Sequence, residues 1–74
     1  MNKNEFLDYF TEQFDEIDPS VVSMETEFKQ LDGWSSMVAL MLIAMVDEKY
    51  GKKLTGKDIK EARTVSDLFE VIQN

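Results

Sequence analysis

The sequence predicts an all-α fold: a small four-helix bundle of three longer helices and one short helix, with a long loop between the first and second helices. Three observations predict this class. Apolar residues recur at helical spacing in three separate segments. Residues that favour helix starts precede the second and third of these segments, and another such residue marks a short helix. The β-prone run VVSMETEF stands alone, and a single strand without a partner is not stable.

The first helix is predicted over residues 4–17. Its apolar stripe has intervals of four, four and three residues and consists of Phe6, Phe10, Phe14 and Ile17. Asp18-Pro19 is expected to end this helix, because the residue before a proline is pushed out of the α region. Residues 20–34 then form the long connection. Its apolar residues are expected to hold it on the core: Val21, Val22, Met24, Phe28 and Leu31.

The second helix is predicted to begin near Ser35, a favoured capping residue, and to end near Gly51, which suits a left-handed terminal residue. It contains ten apolar residues without a break, at positions 37–46. A stripe that avoids the polar positions 47–49 is predicted to face the core: Ala39, Leu42, Ile43, Val46 and Tyr50. Met37, Met41 and Ala44 then fall on the solvent side. The alternative is that the methionines only fill gaps in the core.

Two capping pairs predict the remaining helices. Thr55 and Asp58 have the spacing of a capping box, and Leu54 and Ile59 flank them as a hydrophobic staple would. This short helix is expected to end near Ala62. The last helix begins at a second pair, Thr64 and Asp67, and its core stripe is predicted to be Val65, Leu68, Phe69 and Ile72.

Composition and charge limit the classes of protein. The 74 residues fit one domain, residues 1–74. The chain has no cysteine or histidine, which excludes disulfides and the usual zinc sites. Its net charge is −7, and residues 1–48 carry 11 acidic against 2 basic side chains, whereas residues 49–74 carry 4 against 6. This acidity disfavours nucleic acid and favours basic partner surfaces, unless it serves solubility alone.

The sequence also predicts where the protein resides. No long apolar stretch follows the N-terminal lysine, so no secretory signal is expected. The apolar run at 37–46 is shorter than the roughly 20 residues that a membrane-spanning helix needs. We therefore expect a cytoplasmic monomer that does not enter a membrane.

No catalytic or metal site is predicted, and the chain is not expected to be an enzyme. The adjacent serines Ser35 and Ser36 have no histidine with which to form a triad, and no Gly-rich phosphate loop is present. The acidic run DEIDPS lacks the ligand pattern of a calcium loop. A serine at a helix start is well placed to carry a phosphate group, because unpaired N–H groups and the positive dipole end lie there. The alternative is that both serines only cap the helix.

The run GWSSM at the start of the second helix, followed by the aromatic Tyr50 and two short capped segments, resembles the acyl carrier protein family, and the resemblance covers nearly the whole chain. Members of that family carry a serine in an Asp-Ser-Leu motif at the start of the second helix, commonly after a glycine and a hydrophobic residue. The corresponding run here is GWSSM, which is Gly33, Trp34, Ser35, Ser36 and Met37. Tyr50 and Gly51 stand where the family has an aromatic residue and a loop, and the run GKKLTGKDIKEARTVSDLFEVI resembles the family's third and fourth helices.

The resemblance implies a freestanding acyl carrier protein. A phosphopantetheinyl transferase would attach 4′-phosphopantetheine to Ser36, and the arm would hold acyl groups as thioesters. The partners would be acyl-transferring or acyl-activating enzymes of fatty acid, polyketide or related biosynthesis. We expect the docking surface to consist of Trp34, Met37, Val38, Met41 and Glu48, next to Ser36.

The sequence departs from the family pattern at two places. Ser35 stands in place of the motif aspartate. Serine can still cap the helix, but the negative charge of the aspartate is lost. Val38 and Met41 stand where the family usually has acidic residues, so partner recognition is expected to depend more on apolar contact.

Two other functions stay open. One is an aminoacyl or peptidyl carrier that uses the same serine, and the other is an unmodified helical module that binds an apolar groove of a partner.

Overall fold

The computed structural model describes residues 2–73, and this part of the chain contains helices and no strands. The four α-helices are α1 (Lys3–Glu12), α2 (Ser36–Tyr50), α3 (Gly56–Glu61) and α4 (Val65–Gln73). Two short 3₁₀ helices, Pro19–Val21 and Phe28–Gln30, lie in the loop between α1 and α2. The predicted all-α class, with three longer helices and one short helix, is therefore confirmed.

Aromatic side chains form the centre of the core. Phe6 and Phe10 of α1 are fully buried, as are Phe28 of the loop and Phe69 of α4. The Phe6 ring lies 5.5 Å from the Phe69 ring, and the Phe10 ring lies 6.0 Å from the Phe28 ring. Aromatic pairs at such separations stabilise a core beyond the area that they bury. The predicted stripe of α4 is confirmed, since all four of its residues are buried.

Helix α1 is shorter than predicted, because it ends at Glu12 rather than at Ile17. The side chain of Gln13 donates a hydrogen bond to the backbone oxygen of Tyr9, at 2.9 Å, and so satisfies a carbonyl of the last turn. Further helical turns would have placed acidic residues 15 and 16 at the negative end of the helix dipole. Phe14 is nevertheless buried, because the chain turns and directs its ring toward Phe10, at 5.4 Å.

The long loop is held by apolar and polar contacts. Val22 and Phe28 are buried, while Met24 and Leu31 are half-buried against the core, as predicted. The expectation for Val21 was wrong, since its side chain is 62% exposed. It lies at the end of a 3₁₀ helix, and its neighbour Val22 occupies the core position instead.

The same loop also satisfies the backbone at the ends of α3 and α4. The ammonium of Lys29 donates to the carbonyl oxygens of Ile59 and Lys60, at 3.1 and 2.8 Å. The N–H groups of Val65 and Ser66 donate to loop carbonyls at 3.1 and 2.8 Å. Helix ends leave such groups without intrahelical partners, so these bonds fix the loop to two helices at once.

The predicted capping pairs of α3 and α4 are confirmed. Thr55 and Asp58 exchange hydrogen bonds between side chain and backbone, at 3.0 and 3.1 Å, and Thr64 and Asp67 do the same at 3.0 and 3.2 Å. Asp67 also accepts from the N–H of Arg63, at 2.9 Å. The N–H donors of Arg63 and Thr64 hold the pKa of Asp67 below its usual value, and the Thr55 donor does the same for Asp58.

This geometry predicts a pH-dependent effect of Asp67→Asn. Because the pKa of Asp67 is lowered in the folded protein, its carboxylate stabilises the fold fully above the unfolded-state pKa of about 3.9. That contribution is lost as the pH falls through the folded-state pKa. At pH 7 the variant should therefore have a lower free energy of unfolding than wild type, by up to about 1 kcal/mol because solvent screens the charge. Urea unfolding at pH 7 and at pH 3 measures the difference.

Glu25→Gln removes one acidic charge from an exposed loop position and serves as the control for net charge. The difference in unfolding free energy between Asp67→Asn and wild type should be smaller at pH 3 than at pH 7. This decrease should exceed any change in the corresponding difference for Glu25→Gln. A difference of the same size at both pH values would contradict this assignment.

Candidate functional site

The sequence around the two serines forms a turn that leads directly into α2. The N–H of Trp34 donates to the carbonyl oxygen of Leu31 at 3.1 Å, and Gly33 between them has a φ of +90°. A side chain at that φ would be strained, so glycine is required there. Ser35 follows in an extended conformation and caps α2, since its hydroxyl accepts from the N–H of Val38 at 3.3 Å.

The two serine hydroxyls differ in their surroundings. The Ser35 hydroxyl is occupied by the cap, whereas Ser36 is the first residue of α2 and is exposed. Within residues 2–73, no side-chain hydrogen bond holds the Ser36 hydroxyl. Ser36 is thus the serine of this pair whose oxygen is open to an incoming group.

The Trp34 side chain packs the turn against the core. It is half-buried, and its ring packs edge-on against Phe28 at 5.0 Å and tilts against Phe14 at 6.3 Å. The predicted docking residue Trp34 therefore has two surfaces, of which one lies against the core and the other faces solvent. Its contacts position the chain two residues before Ser36.

The exposed face of α2 differs in part from the predicted docking surface. Met37 and Met41 are 69% and 38% exposed, as predicted, and Ala44 and Glu48 are also exposed. The assignment of Val38 to this surface was wrong, because only 7% of the residue is exposed. Its side chain lies one turn before Leu42 on the buried face, where it belongs to the core.

Leu40 is an exposed residue that the sequence analysis missed. It is 67% exposed and lies four residues after Ser36, three after Met37 and four before Ala44. This spacing places it on the same helix face as the serine. The spacing itself is the signal that would have found it. We call Met37, Leu40 and Met41 the apolar face of α2.

The buried face of α2 is rotated from the predicted stripe. Leu42 and Val46 are buried as predicted, but Val38 and Met45 complete the buried set, while Ala39, Ile43 and Tyr50 are only half-buried against the core. The prediction kept Lys49 off the core side, whereas in the structure Lys49 lies on the same side of α2 as the buried Met45. Its ammonium lies over the Tyr9 ring, 5.3 Å from the centroid, so its stem covers α1 while its charge stays exposed.

Tyr50 connects the end of α2 to the start of α1. Its hydroxyl donates to the Glu5 carboxylate at 3.4 Å, and its ring lies 6.2 Å from Phe6. Burial and the nearby Glu5 charge raise the pKa of Tyr50 to about 12. The hydroxyl therefore stays protonated and remains a donor across the neutral range.

A surface groove runs along one flank of α2. Its first part has a volume of about 420 Å³ and is lined by residues that include Phe14, Asp15, Asp32, Gly33, Ser35 and Met41. Its second part has a volume of about 210 Å³ and is lined by residues that include Gln13, Met41, Ala44, Glu48 and Lys49. The two parts share Gln13 and Met41, so we treat them as one α1–α2 groove.

The opposite flank of α2 carries a different cleft. It has a volume of about 440 Å³ and lies between α2 and the start of the α2–α3 connection, with Ile43, Ala44, Asp47, Lys52, Lys53 and Leu54 in its lining. Ala44 also lines the second part of the groove, so this residue lies at the boundary between the two flanks of α2. We call it the α2–α3 cleft. Four carboxylates and one lysine line the α1–α2 groove, whereas two lysines and one carboxylate line this cleft, so the two flanks of α2 have opposite net charge.

Comparison with known proteins adds no family assignment. No protein-family model matches the sequence, and no curated protein is significantly similar to it. Within residues 2–73, no group of three or more acidic side chains converges in a way that could hold a metal ion. None of the helices in the described range has both the length and the apolarity to cross a membrane.

Two similar substitutions on the two faces of α2 should differ in their effect on stability. Val38→Ala removes buried methyl groups and should lower the free energy of unfolding by about 1–3 kcal/mol. Leu40→Ala removes an exposed side chain and should change it by less than about 0.5 kcal/mol. Chemical denaturation of both variants measures the difference. Equal destabilisation by the two substitutions would contradict the orientation of α2.

Proposed function

We propose that the protein is an acyl carrier protein whose 4′-phosphopantetheine arm is attached to Ser36. The observation that carries the proposal is the pair of serine environments at the start of α2. Ser35 supplies the helix cap, and this leaves the neighbouring Ser36 hydroxyl exposed and without a side-chain hydrogen bond within residues 2–73.

The position of Ser36 suits a phosphodiester. As the first residue of a 15-residue helix, it lies beside N–H groups that have no intrahelical partner and at the positive end of the helix dipole. Both features stabilise a negatively charged group there. When bound, the arm supplies a thiol on which acyl groups are carried as thioesters. The residues of the chain then position the arm and contact partners, and they carry out no chemistry themselves.

The proposed docking surface is the apolar face of α2 together with the exposed parts of Trp34 and Glu48. Met37 and Leu40 lie on the first turns, close to the proposed tether, and the flexible Met37 side chain suits contact with several partner surfaces. The Glu48 carboxylate lies 3.8 Å from the Lys49 ammonium, which offsets part of its charge. We infer that the transferase and the acyl-transferring or acyl-activating enzymes of a fatty acid, polyketide or related pathway dock mainly through apolar contact.

The two other functions differ from this proposal in what they predict. An aminoacyl or peptidyl carrier would use the same Ser36 and arm, and it would be loaded with an amino acid by an adenylating enzyme. An unmodified helical interaction module would receive no arm, and its partner binding would survive the loss of the Ser36 hydroxyl. The Ser36 hydroxyl is exposed and has no side-chain hydrogen bond to residues 2–73, which favours a carrier over such a module.

The attachment site is tested by intact mass. Incubated with coenzyme A and a phosphopantetheinyl transferase of broad specificity, wild type should gain the mass of one phosphopantetheine. Ser36→Ala should gain nothing, because it lacks the accepting oxygen. Ser35→Ala should still gain the group, although it loses a cap worth about 1 kcal/mol.

Ser35→Asp provides a matched control, because aspartate restores a capping oxygen without a hydroxyl nucleophile. It should be modified to the same extent as wild type. Modification of Ser36→Ala to the wild-type extent would show that the site assignment is wrong, and an unmodified wild type would favour the helical interaction module.

The docking surface is tested by the rate of the same modification. Leu40→Asp places a charge on the apolar face of α2 and should lower kcat/KM of the transferase about tenfold, the effect of losing roughly 1.4 kcal/mol of apolar contact. Val21→Asp makes the same kind of change at an exposed valine in the loop and should leave kcat/KM unchanged. If both variants, or neither, were slowed, docking through this face would be refuted.

A further inference from the structure

We propose that the α1–α2 groove is the resting place of the arm, so that the pantetheine chain lies along α2 from Ser36 toward Glu48. This inference rests on the function proposed above and adds a binding site for the arm on the protein itself. Three properties of the groove support it: where it begins, how long it is, and which chemical groups line it.

The groove begins beside the proposed tether. Gly33 and Ser35 line its first part, one to three residues before Ser36. A Cβ atom on Gly33 would lie 3.6 Å from Cδ2 of Phe14, which lines the same part of the groove. The glycine that the turn requires therefore also leaves space over the Phe14 ring, next to the serine.

The length of the groove matches the length of the arm. Along α2, the distance from Ser36 to Glu48 is about 18 Å at the usual helical rise. Between its phosphorus and its sulfur, the arm has about as many chain atoms as four extended residues, so these two atoms lie at most roughly 15 Å apart. An arm that follows the groove would bring its thiol close to Ala44 and Glu48, which line the second part.

The lining complements the chemistry of the arm, in which apolar carbon segments alternate with two amides. Phe14, Met37 and Met41 provide apolar contacts, and methionine adapts its shape readily. Gln13 donates its side-chain N–H to the Tyr9 carbonyl, which leaves its amide oxygen as an acceptor. That oxygen and the Asp15 carboxylate can accept hydrogen bonds from the amide N–H groups of the arm.

Charge favours the neutral part of the arm over its phosphate in this groove. Asp15, Glu16 and Asp32 line the first part and would repel a phosphodiester, which instead stays at Ser36 beside the helix N-terminus. The α2–α3 cleft offers lysine donors instead, and its first lining residue, Ile43, lies seven positions after Ser36. It is the competing location for the arm.

Methyl NMR distinguishes the two locations in the wild-type protein. Samples labelled at methionine, isoleucine and leucine methyl groups are compared before and after attachment of the arm, with mass spectrometry to establish attachment. The Met41 and Met45 signals should shift, because both residues line the groove. The Met24 signal should not, since its segment binds α4 through the Ser66 N–H. Shifts at Ile43 without shifts at Met41 and Met45 would place the arm on the opposite flank and overturn the proposal, as would shifts confined to Met37.

Alkylation of the arm's thiol with iodoacetamide, a neutral reagent, gives a second readout. An arm that occupies the groove at least about half of the time reacts about twofold or more slowly than free pantetheine. Met41→Trp fills the groove and should restore the faster rate, whereas Leu40→Trp adds the same ring to the exposed face and should not. Equal rates for wild type and Met41→Trp would refute the groove site alone. Failure of wild type to gain phosphopantetheine would refute both the groove site and the proposed function.

Discussion

Phe28 connects the parts of the molecule on which the candidate site depends. Its ring is fully buried although it belongs to a loop, and it contacts Phe10 of α1 at 6.0 Å and Trp34 at 5.0 Å. Trp34 lies two residues before Ser36, so the start of α2 is positioned by a ring that the loop inserts into the core. In a chain without cysteine or histidine, aromatic packing of this kind takes the place that disulfides or a metal have in other small domains.

The loop around Phe28 also fixes the other helices. Lys29, the next residue, donates to the last carbonyls of α3, and residues 24 and 26 accept from the first N–H groups of α4. One short segment thus holds the start of α2, the end of α3 and the start of α4. A loop of this length is uncommon unless it has a role, and here it is a structural element that joins the helices.

The features that the sequence predicted correctly are those set by near neighbours in the chain. Ser35, Gly51 and the Thr64–Asp67 pair act on groups within a few residues, so their positions follow from the local pattern. The errors arose where distant contacts decide. Lys49 lies over Tyr9 of α1, on the side of α2 that buries Val38 and leaves Leu40 exposed, and nothing near Lys49 in the sequence indicates that contact. Similarly, the helical spacing of Phe14 predicted a longer α1. An apolar residue at that spacing can also be buried in a turn that packs on the core, as Phe14 is.

The charge around Ser36 explains why serine suits position 35. Asp32 and the carboxylates of the α1–α2 groove already lie beside the start of α2, in the half of the chain that carries most of the acidic residues. An aspartate cap would add a further negative charge to this acidic region, where nearby like charges repel each other. Serine makes the same hydrogen bond with the N–H of Val38 without that charge. The neutral cap and the apolar face of α2 therefore add no further negative charge at the start of α2, where the carboxylates of the groove already lie.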